Sequence, residues 1–437
     1  MNDYKKRIAD EMLQRKLKGK GAVLIEGPKW CGKTTTAEQV AKSVLYMANP
    51  ESMGQNLTLA DINPGILLKG EIPRLIDEWQ IAPKLWDAVR FEVDHRKDEG
   101  QFILTGSAVP ADKNLITHTG TGRFSFLLMR PMTLFESLES TGTVSLKDLF
   151  DSKDVSGTNN LSLDDIAYVC CRGGWPRSIS MEKEIALDQA FDYYDAVVNS
   201  DISKVDGVSR EPTRVKNLMR SYARNVGSQV SNETLKEDMI NNDSFSLDTD
   251  TVFSYINALK KIFVIDEVPA WNPNLRSKTA IRTSDTRYFI DPSIATAALG
   301  LGPNDLINDL NTFGFIFENL CVRDLRVYAE SINGNLYHYR DSSSLECDAV
   351  IHLRNGSYGL VEIKLGGDKL VEEGADNLIK LKNKLDTSKM KNPSFLMVVT
   401  ATGDYAYKRS DEIYVVPIGC LKTVSYTHLT LPTNSRV

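Results

Sequence analysis

The stretch Gly27-Pro28-Lys29-Trp30-Cys31-Gly32-Lys33-Thr34-Thr35 constrains this chain more than any other. It follows an apolar run, Ala22-Val-Leu-Ile25, and precedes a segment, Thr35 to Met47, whose apolar residues recur at helical spacing. Strand, glycine loop and helix in that order are the setting of a phosphate-binding loop. Gly27 and Gly32 bracket four residues, so the backbone can wrap a triphosphate with its N–H groups turned inward. Lys33 is placed to reach the β- and γ-phosphates, and the Thr34 hydroxyl to ligate magnesium. ATP and Mg2+ are the expected cofactors. The alternative is a glycine turn that Lys-Thr follows by chance.

Downstream, Pro73-Arg-Leu-Ile is a short apolar strand ending in two carboxylates, Asp77 and Glu78. In nucleotide hydrolysis the first holds magnesium and the second polarises the attacking water. The competing reading makes Asp77 a cap for the helix that carries Trp86, Val89 and Phe91. A second apolar strand, Gln101 to Ser107, ends in Thr105-Gly-Ser. Ser107 would contact the γ-phosphate or the water, unless it only closes a turn.

With 437 residues, 42% of them hydrophobic, the chain can bury two or three cores. Its net charge of −6 leaves any nucleic-acid contact to local basic patches. Residues 3 to 20 form one candidate patch; Ile8, Met12, Leu13 and Leu17 instead mark an amphipathic helix packed on the nucleotide domain. Six cysteines without a CxxC pair suit neither a disulfide framework nor zinc, and the expected setting is a reducing cytoplasm. Five histidines, none in His-x-x-His or Cys-His spacing, argue against zinc chemistry and a Ser/His/Asp triad. No apolar run is long enough for a membrane span. The last fourteen residues, VSYTHLTLPTNSRV, break the preceding pattern and resemble adapter read-through, so the natural chain is expected to end near Lys422. An ordinary disordered C-terminus is the alternative.

GPKWCGKTT, LIDEWQ, FILTGSAVP, GTGRFSFLLMRPMTLFES, RGGWPRS and LVEIKLG occur in this order from about Lys20 to Leu365. In this the chain resembles a large family of prokaryotic AAA-type ATPases that carry a C-terminal domain of unknown function. The resemblance implies that Arg123 senses or stabilises the γ-phosphate, in cis or from a neighbouring subunit, as arginine fingers do. Arg130 is the fallback, and a surface salt bridge the plain alternative for both. It also implies that Arg172-Gly-Gly-Trp175-Pro176 belongs to a helical lid, continued by a helix from Ala186 to Asn199. Residues 151 to 162 are polar and read as a surface insertion or linker.

From Thr213 to Trp271 the pattern is helix, turn, helix, loop, helix and two short strands, as in a winged helix. Ser231 and Asp248 are the expected N-caps. Such modules bind duplex DNA through the third helix. That helix, Thr251 to Lys261, holds only two lysines and no arginine, so a protein-contact or structural role stands beside DNA binding.

The last region reads as a helix from Phe313 to Ala329, strands at Leu336–Arg340, Cys347–Leu353 and Tyr358–Leu365, a helix from Leu370 to Leu385, and a strand at Phe395–Thr400. Alternation in the two central strands sets Asp348, Glu362 and Lys364 opposite the apolar faces. A two-residue Asn355-Gly356 turn would pair Asp348 with Ile363. A three-residue Asn355-Gly356-Ser357 loop pairs it with Lys364 and brings it diagonal to Glu362, so that loop or an equivalent bulge is expected. The segment resembles PD-(D/E)xK nucleases. That likeness implies Asp348 and Glu362 as magnesium ligands, Lys364 stabilising hydroxide or phosphorane charge, and Glu318 completing the metal shell. The alternative is a solvent-facing ion pair on an edge hairpin.

The expected fold class is therefore α/β, in five stretches: an AAA-type P-loop ATPase domain (1–150), a linker and helical lid (151–205), a winged-helix connector (206–275), an α/β nuclease-like domain (276–422), and a non-native tail (423–437). ATP is the expected partner, with DNA or a protein as the target and oligomers possible. A regulatory switch or a DNA-binding protein that does not cleave are the other readings.

Overall fold

The first helix, α1 (Ile8–Leu17), buries Ile8, Met12, Leu13 and Leu17, so the amphipathic reading of the N-terminal segment holds. The computed structural model describes residues 4–108, 119–205, 207–240, 248–273, 284–386, 388 and 390–424. After α1 come β1 (Ala22–Glu26), α2 (Lys33–Glu38), β2 (Ser43–Tyr46), α3 (Met53–Ile62), β3 (Arg74–Asp77), α4 (Lys84–Arg96), β4 (Phe102–Gly106) and β5 (Phe124–Leu128). The strands form one parallel sheet in the order β2-β3-β4-β1-β5. Parallel pairing puts all five C-terminal ends on one edge, where ligands of open α/β sheets bind. Ala22, Leu24, Ile76, Phe102 and Leu104 pack with Trp79, Leu85, Trp86 and Val89 in one apolar cluster. Each such side chain removed from water contributes about 1.5–3 kcal/mol. Trp86 stacks on Phe124 with ring centroids 3.8 Å apart.

The expected helix from Thr35 to Met47 is corrected. Only Lys33–Glu38 is helical, and Ser43–Tyr46 is a strand paired residue by residue with β3 from Arg74 to Asp77. Val40, Ala41, Val44 and Leu45 fit a helical stripe, but β-branched and aromatic residues also suit a strand, and the ladder to β3 decides.

Next come β6 (Val144–Ser145), α5 (Leu146–Phe150) and β7 (Gly157–Thr158), then a run of helices: α6 (Leu163–Arg172), α7 (Lys183–Ala196), a π-helical turn (Val197–Asp201), α8 (Ile202–Lys204), α9 (Pro212–Arg224), α10 (Asn232–Ile240) and α11 (Thr249–Lys261). Ser231 Oγ accepts from Thr234 N at 3.1 Å and the Asp248 side chain from Asp250 N, so both expected caps are present. After α11, Ile265 bridges Phe289 and Val268 bridges Thr286, both antiparallel. Then follow α12 (Pro292–Leu299), α13 (Pro303–Asn308) and α14 (Leu310–Ser331).

The C-terminal elements are β8 (Gly334–Arg340), β9 (Glu346–Leu353), β10 (Tyr358–Lys364), α15 (Asp368–Lys384), β11 (Phe395–Thr400), β12 (Tyr405–Lys408), β13 (Tyr414–Pro417) and β14 (Leu421–Lys422). Seven strands form a sheet in the order β7-β12-β13-β11-β10-β9-β8. The β8-β9-β10 ladder is antiparallel, whereas β10-β11-β13 is parallel. On α15, Val371, Ala375, Leu378 and Leu381 share a cluster with Val350, Leu360, Val398 and Val415. Among the described residues, no helix is long and apolar enough to cross a membrane.

The chain divides into two compact units. One comprises Met1–Ser137, Asp164–Pro269 and Ser284–Arg323; the other Leu138–Leu163, Ala270–Thr283 and Asp324–Val437. This division differs from the expected boundaries. Residues 138–150 leave the ATPase domain, and residues 151–162 are more than a linker, because β7 adds to the edge strand β12. Residues 284–323 belong with the first unit rather than with the C-terminal domain. Thr423 is also part of the fold: it is 2% exposed, and its carbonyl accepts from Lys147 N at 3.1 Å. The expected non-native tail from residue 425 onward lies outside the described residues.

Candidate functional site

At the C-terminal end of β1 the chain enters the glycine loop with two residues in conformations that favour glycine. Gly27 has φ 149°, and a Cβ there would meet the Met129 carbonyl oxygen at 2.2 Å; Gly32 has φ 96°. Pro28, Lys29, Trp30 and Cys31 form the arch between them, and Thr35 lies in the first turn of α2. The Lys33 ammonium is buried and donates to the carbonyls of Gly27 (3.0 Å) and Pro28 (2.7 Å). Thr34 Oγ1 donates to Asp77 Oδ1 at 2.7 Å, and Thr105 Oγ1 donates to the same oxygen at 2.5 Å. The proposed magnesium residues of the loop and of β3 are thus in direct contact. A carboxylate and a hydroxyl, oxygen donors only, suit magnesium.

The sheet order explains the rest of the edge. β4 lies between β1 and β3, so Ser107 at its end stands between the loop and the Asp77-Glu78 pair. Glu78 adopts φ 55°, ψ 45°, a left-handed conformation uncommon for a glutamate and typical of functional positions. Its Oε2 accepts from Gln80 Nε2 and, at 3.5 Å, from Ser107 Oγ. Burial pushes the Glu26 carboxyl, just before the loop, above the usual carboxylate range.

Behind the loop lies a buried cation that the sequence reading did not single out. Arg7 donates from Nη1 to the Cys31 carbonyl (2.8 Å), from Nη2 to the Arg130 carbonyl (2.8 Å), and from Nε to Glu136 Oε1 (3.0 Å). On the outer side, Lys29 pairs with Asp201 at 2.6 Å, and Trp30 meets Tyr193 edge-on at 5.8 Å. Tyr193 in turn stacks on Trp175 of the Gly-Gly-Trp-Pro turn (4.4 Å). That turn is packed too closely for side chains: a Cβ on Gly174 would lie 2.1 Å from the Met132 carbonyl oxygen. Gly174 N donates to Asp291 Oδ2 (3.0 Å), and Trp175 Nε1 donates to Ser293 Oγ (3.0 Å).

The expected role of Arg123 within its own chain is corrected. Arg123 precedes β5, whose Phe124 pairs with Ala22 at the start of β1, so it sits at the edge of the sheet opposite the loop. There it is exposed and bonded to Asp94 Oδ1 at 2.7 Å, which holds the Asp94 carboxyl below its usual range. This placement matches the surface salt bridge given as the plain alternative, and it keeps Arg123 away from the loop of its own chain. Arg130, the fallback, is buried, and its Nε bonds Asp266 Oδ2 at 2.6 Å.

In the second unit the three hairpin side chains come together as expected, in a different register. Tyr358 pairs with His352, Leu360 with Val350 and Val361 with Ala349. Leu353 N bonds Ser357 O, so the three-residue loop is Arg354-Asn355-Gly356, with Gly356 at φ 83°. Extended, this register puts Asp348 opposite Glu362 rather than Lys364. The parity is unchanged, and all three side chains converge. Lys364 Nζ lies 2.7 Å from Glu362 Oε2 and 3.4 Å from Asp348 Oδ2, which also accepts from Ile363 N at 2.7 Å. Glu362 is 2% exposed, which excludes the solvent-facing ion pair.

Glu318, expected to join this group, lies on α14 in the first unit, where Tyr288 Oη donates to it at 2.5 Å. Among the described residues, no cluster of three or more His, Cys, Asp and Glu side chains could hold a metal.

Three family models match successive stretches. Residues 19–138 match the AAA domain, residues 163–305 a domain of unknown function (DUF8612), and residues 313–421 another (DUF4143). The first match and the loop geometry agree, and this part of the chain is an AAA-type P-loop ATPase domain. Over 362 residues, the chain is 24% identical to an uncharacterized protein of Mycobacterium tuberculosis and to one of Mycobacterium bovis, which covers 82% of this chain and 74% of each relative. Among solved structures, a Walker-type ATPase of Pyrococcus abyssi is similar at TM-score 0.41 and 13% identity, over 68% of this chain and 96% of that one. The Aeropyrum pernix ORC1 protein, solved in complex with DNA, follows at TM-score 0.22 and 14% identity, over 69% of this chain and 92% of that one.

Proposed function

We propose that the chain is an ATP-hydrolysing machine whose nucleotide cycle acts on a C-terminal nuclease-like unit directed at DNA. The observation that carries the hydrolytic part is the convergence of Lys33, Thr34, Asp77, Thr105, Glu78 and Ser107 on one sheet edge. The loop amides and Lys33 bind the phosphates, and Thr34 and Asp77 hold magnesium, which neutralises charge on the phosphate oxygens. Glu78 takes the proton of the attacking water. Arg123 stabilises the γ-phosphate of a neighbouring subunit. The nuclease-like reading is supported by the succession α14-β8-β9-β10-α15-β11 and by Asp348, Glu362 and Lys364 meeting on one face. The winged-helix reading rests on α9, α10 and α11 followed by the antiparallel bridges.

A second reading, a regulatory switch whose C-terminal unit binds without cutting, is favoured by one observation. Glu362 is buried against Lys364, and no third carboxylate stands with it among the described residues. Steady-state ATP turnover by the full chain tests the first part: Lys33→Ala and Glu78→Gln should each abolish it, and wild-type turnover in either would overturn the site. Supercoiled DNA with ATP and Mg2+ or Mn2+ separates the two readings. Nicking lost in Glu362→Ala establishes the nuclease, whereas no nicking beside Lys33-dependent turnover establishes the switch.

A further inference from the structure

We propose that Gln80 is the positioning residue of the hydrolytic site: it pins one oxygen of Glu78 and leaves the other to receive the proton of the attacking water. This rests on the reading of Glu78 as the general base. Glu78 has three rotatable side-chain bonds, and a base so flexible works only if its carboxylate is held. The single 3-10 turn Trp79–Ile81, which begins directly after Glu78, folds Gln80 back over it. Gln80 Nε2 then donates to Glu78 Oε2, the same oxygen that Ser107 Oγ approaches at 3.5 Å. A carboxylate accepts and does not donate, so it fixes which end of the Gln80 amide faces it. With Oε2 engaged twice, Oε1 is the oxygen left for chemistry.

The other end of the same amide supplies a second, independent observation. Gln80 Oε1 is buried and has no hydrogen-bond partner among the described residues, an arrangement that few buried polar atoms show. It lies against the last residue of β4: a Cβ on Gly106 would come within 2.9 Å of Gln80 Oε1 and 3.1 Å of Trp79 Nε1. Glycine at 106 therefore leaves the amide its place, and Ser107 follows at once. The ends of β3 and β4 thus build one device from Glu78, Gln80, Gly106 and Ser107. In the step it serves, the water oxygen bonds to the γ-phosphorus and the bond from phosphorus to the β–γ bridging oxygen breaks. The water proton passes to Glu78 Oε1, and ADP and inorganic phosphate leave.

The test uses the full chain with Mg-ATP and compares wild type, Gln80→Met, Gly106→Ala and the double variant. Turnover is read beside the Kd of a fluorescent ATP analogue. Methionine keeps the length and removes both polar atoms. A misplaced base costs on the order of 10- to 100-fold in kcat. Gln80→Met should lower kcat at least fivefold, with KM and analogue Kd changed less than twofold. Gly106→Ala, whose methyl displaces the amide, should act in the same direction, and the double variant should be no slower than Gln80→Met alone. A kcat loss below fivefold, a change confined to KM, or additive losses would overturn the proposal. If Gln80→Met does not fold by circular dichroism, Gln80→Glu, which keeps the length and loses the donor, carries the same expectation. Glu78→Gln with wild-type turnover sinks the reading of Glu78 itself. Glu78→Gln inactive beside Gln80→Met at wild-type kcat sinks only the role of Gln80.

Discussion

Removing Arg7 should cost the first unit more than any other single substitution near the loop. The side chain is 4% exposed, and its partner Glu136 has a 2% exposed side chain. In Arg7→Met the Glu136 carboxylate keeps its bonds from Ile8 N, Thr133 N and Thr133 Oγ1 but loses its countercharge. Breaking a buried pair from one side costs about 3–5 kcal/mol. The carbonyls of Cys31 and Arg130 each lose a donor as well, worth about 1 kcal/mol apiece where water does not replace it. The remaining donors to Glu136 offset part of this, so about 4 kcal/mol is expected, a large share of the 5–15 kcal/mol typical of a domain. Arg7→Met combined with Glu136→Leu removes both charges and should lose at least ~1 kcal/mol less than the sum of the single variants. The assay is urea unfolding followed by tryptophan fluorescence. Trp30, Trp79, Trp86 and Trp175 lie in the first unit and only Trp271 in the second, so the signal reports mainly the nucleotide domain. Because the Cys31 carbonyl belongs to the loop, analogue affinity should fall with stability. Arg7→Met within 1 kcal/mol of wild type, or a double variant as unstable as the sum, would refute the argument.

Three further outcomes follow from single residues. Glu78→Gly should relieve a left-handed φ of 55°, a strain of about 1–2 kcal/mol, less the ~0.5–1 kcal/mol entropic cost of glycine. Denaturation should therefore show a gain of about 0.5–1 kcal/mol, while ATP turnover falls at least ~100-fold. Gly174→Ala places a methyl against the Met132 carbonyl and disturbs the bonds of Gly174 to Asp291 and Met132, so thermal unfolding should show a loss of more than ~2 kcal/mol. In the second unit, partial burial opposes ionisation of Asp341, but Lys384 at 2.5 Å and two donors from Ser343 outweigh it and hold the carboxyl well below its usual range. A depressed carboxyl contributes stability above its unfolded pKa, about 3.9, and loses that contribution as pH falls toward the folded value. Asp341→Asn should therefore destabilise at pH 7 by about 1 kcal/mol, discounted for the half-exposed Lys384, and the gap to wild type should close below about pH 4 in urea titrations.

What the sequence showed of this site was local or periodic. Strand, loop and Lys-Thr are contiguous, and the Asp77-Glu78 pair ends its strand, so both could be found without knowing the sheet order. Alternation alone put Asp348, Glu362 and Lys364 on one face, and that conclusion survived a wrong choice of loop residues because both three-residue loops preserve parity. What failed depended on contacts distant in sequence. Ser43–Tyr46 is a strand because β3 lies beside it, and Arg123 could be assigned to an edge only once β5 was known to run parallel to β1. Glu318 shares α14 with residues of the other unit, so helical position alone could not assign it to a unit. Gly157 and Thr158, within a polar stretch, carry no strand signal until β12 pairs with them. Within the loop the same division holds. The glycines, Lys33 and Thr34 are legible because triphosphate chemistry dictates them, whereas Lys29 and Trp30 are free of that demand. They are the loop residues that reach Asp201 and Tyr193, and so the ones whose partners no spacing rule could name. A phosphate loop read from sequence therefore yields its ligand, and its connections to the rest of the domain emerge only with the fold.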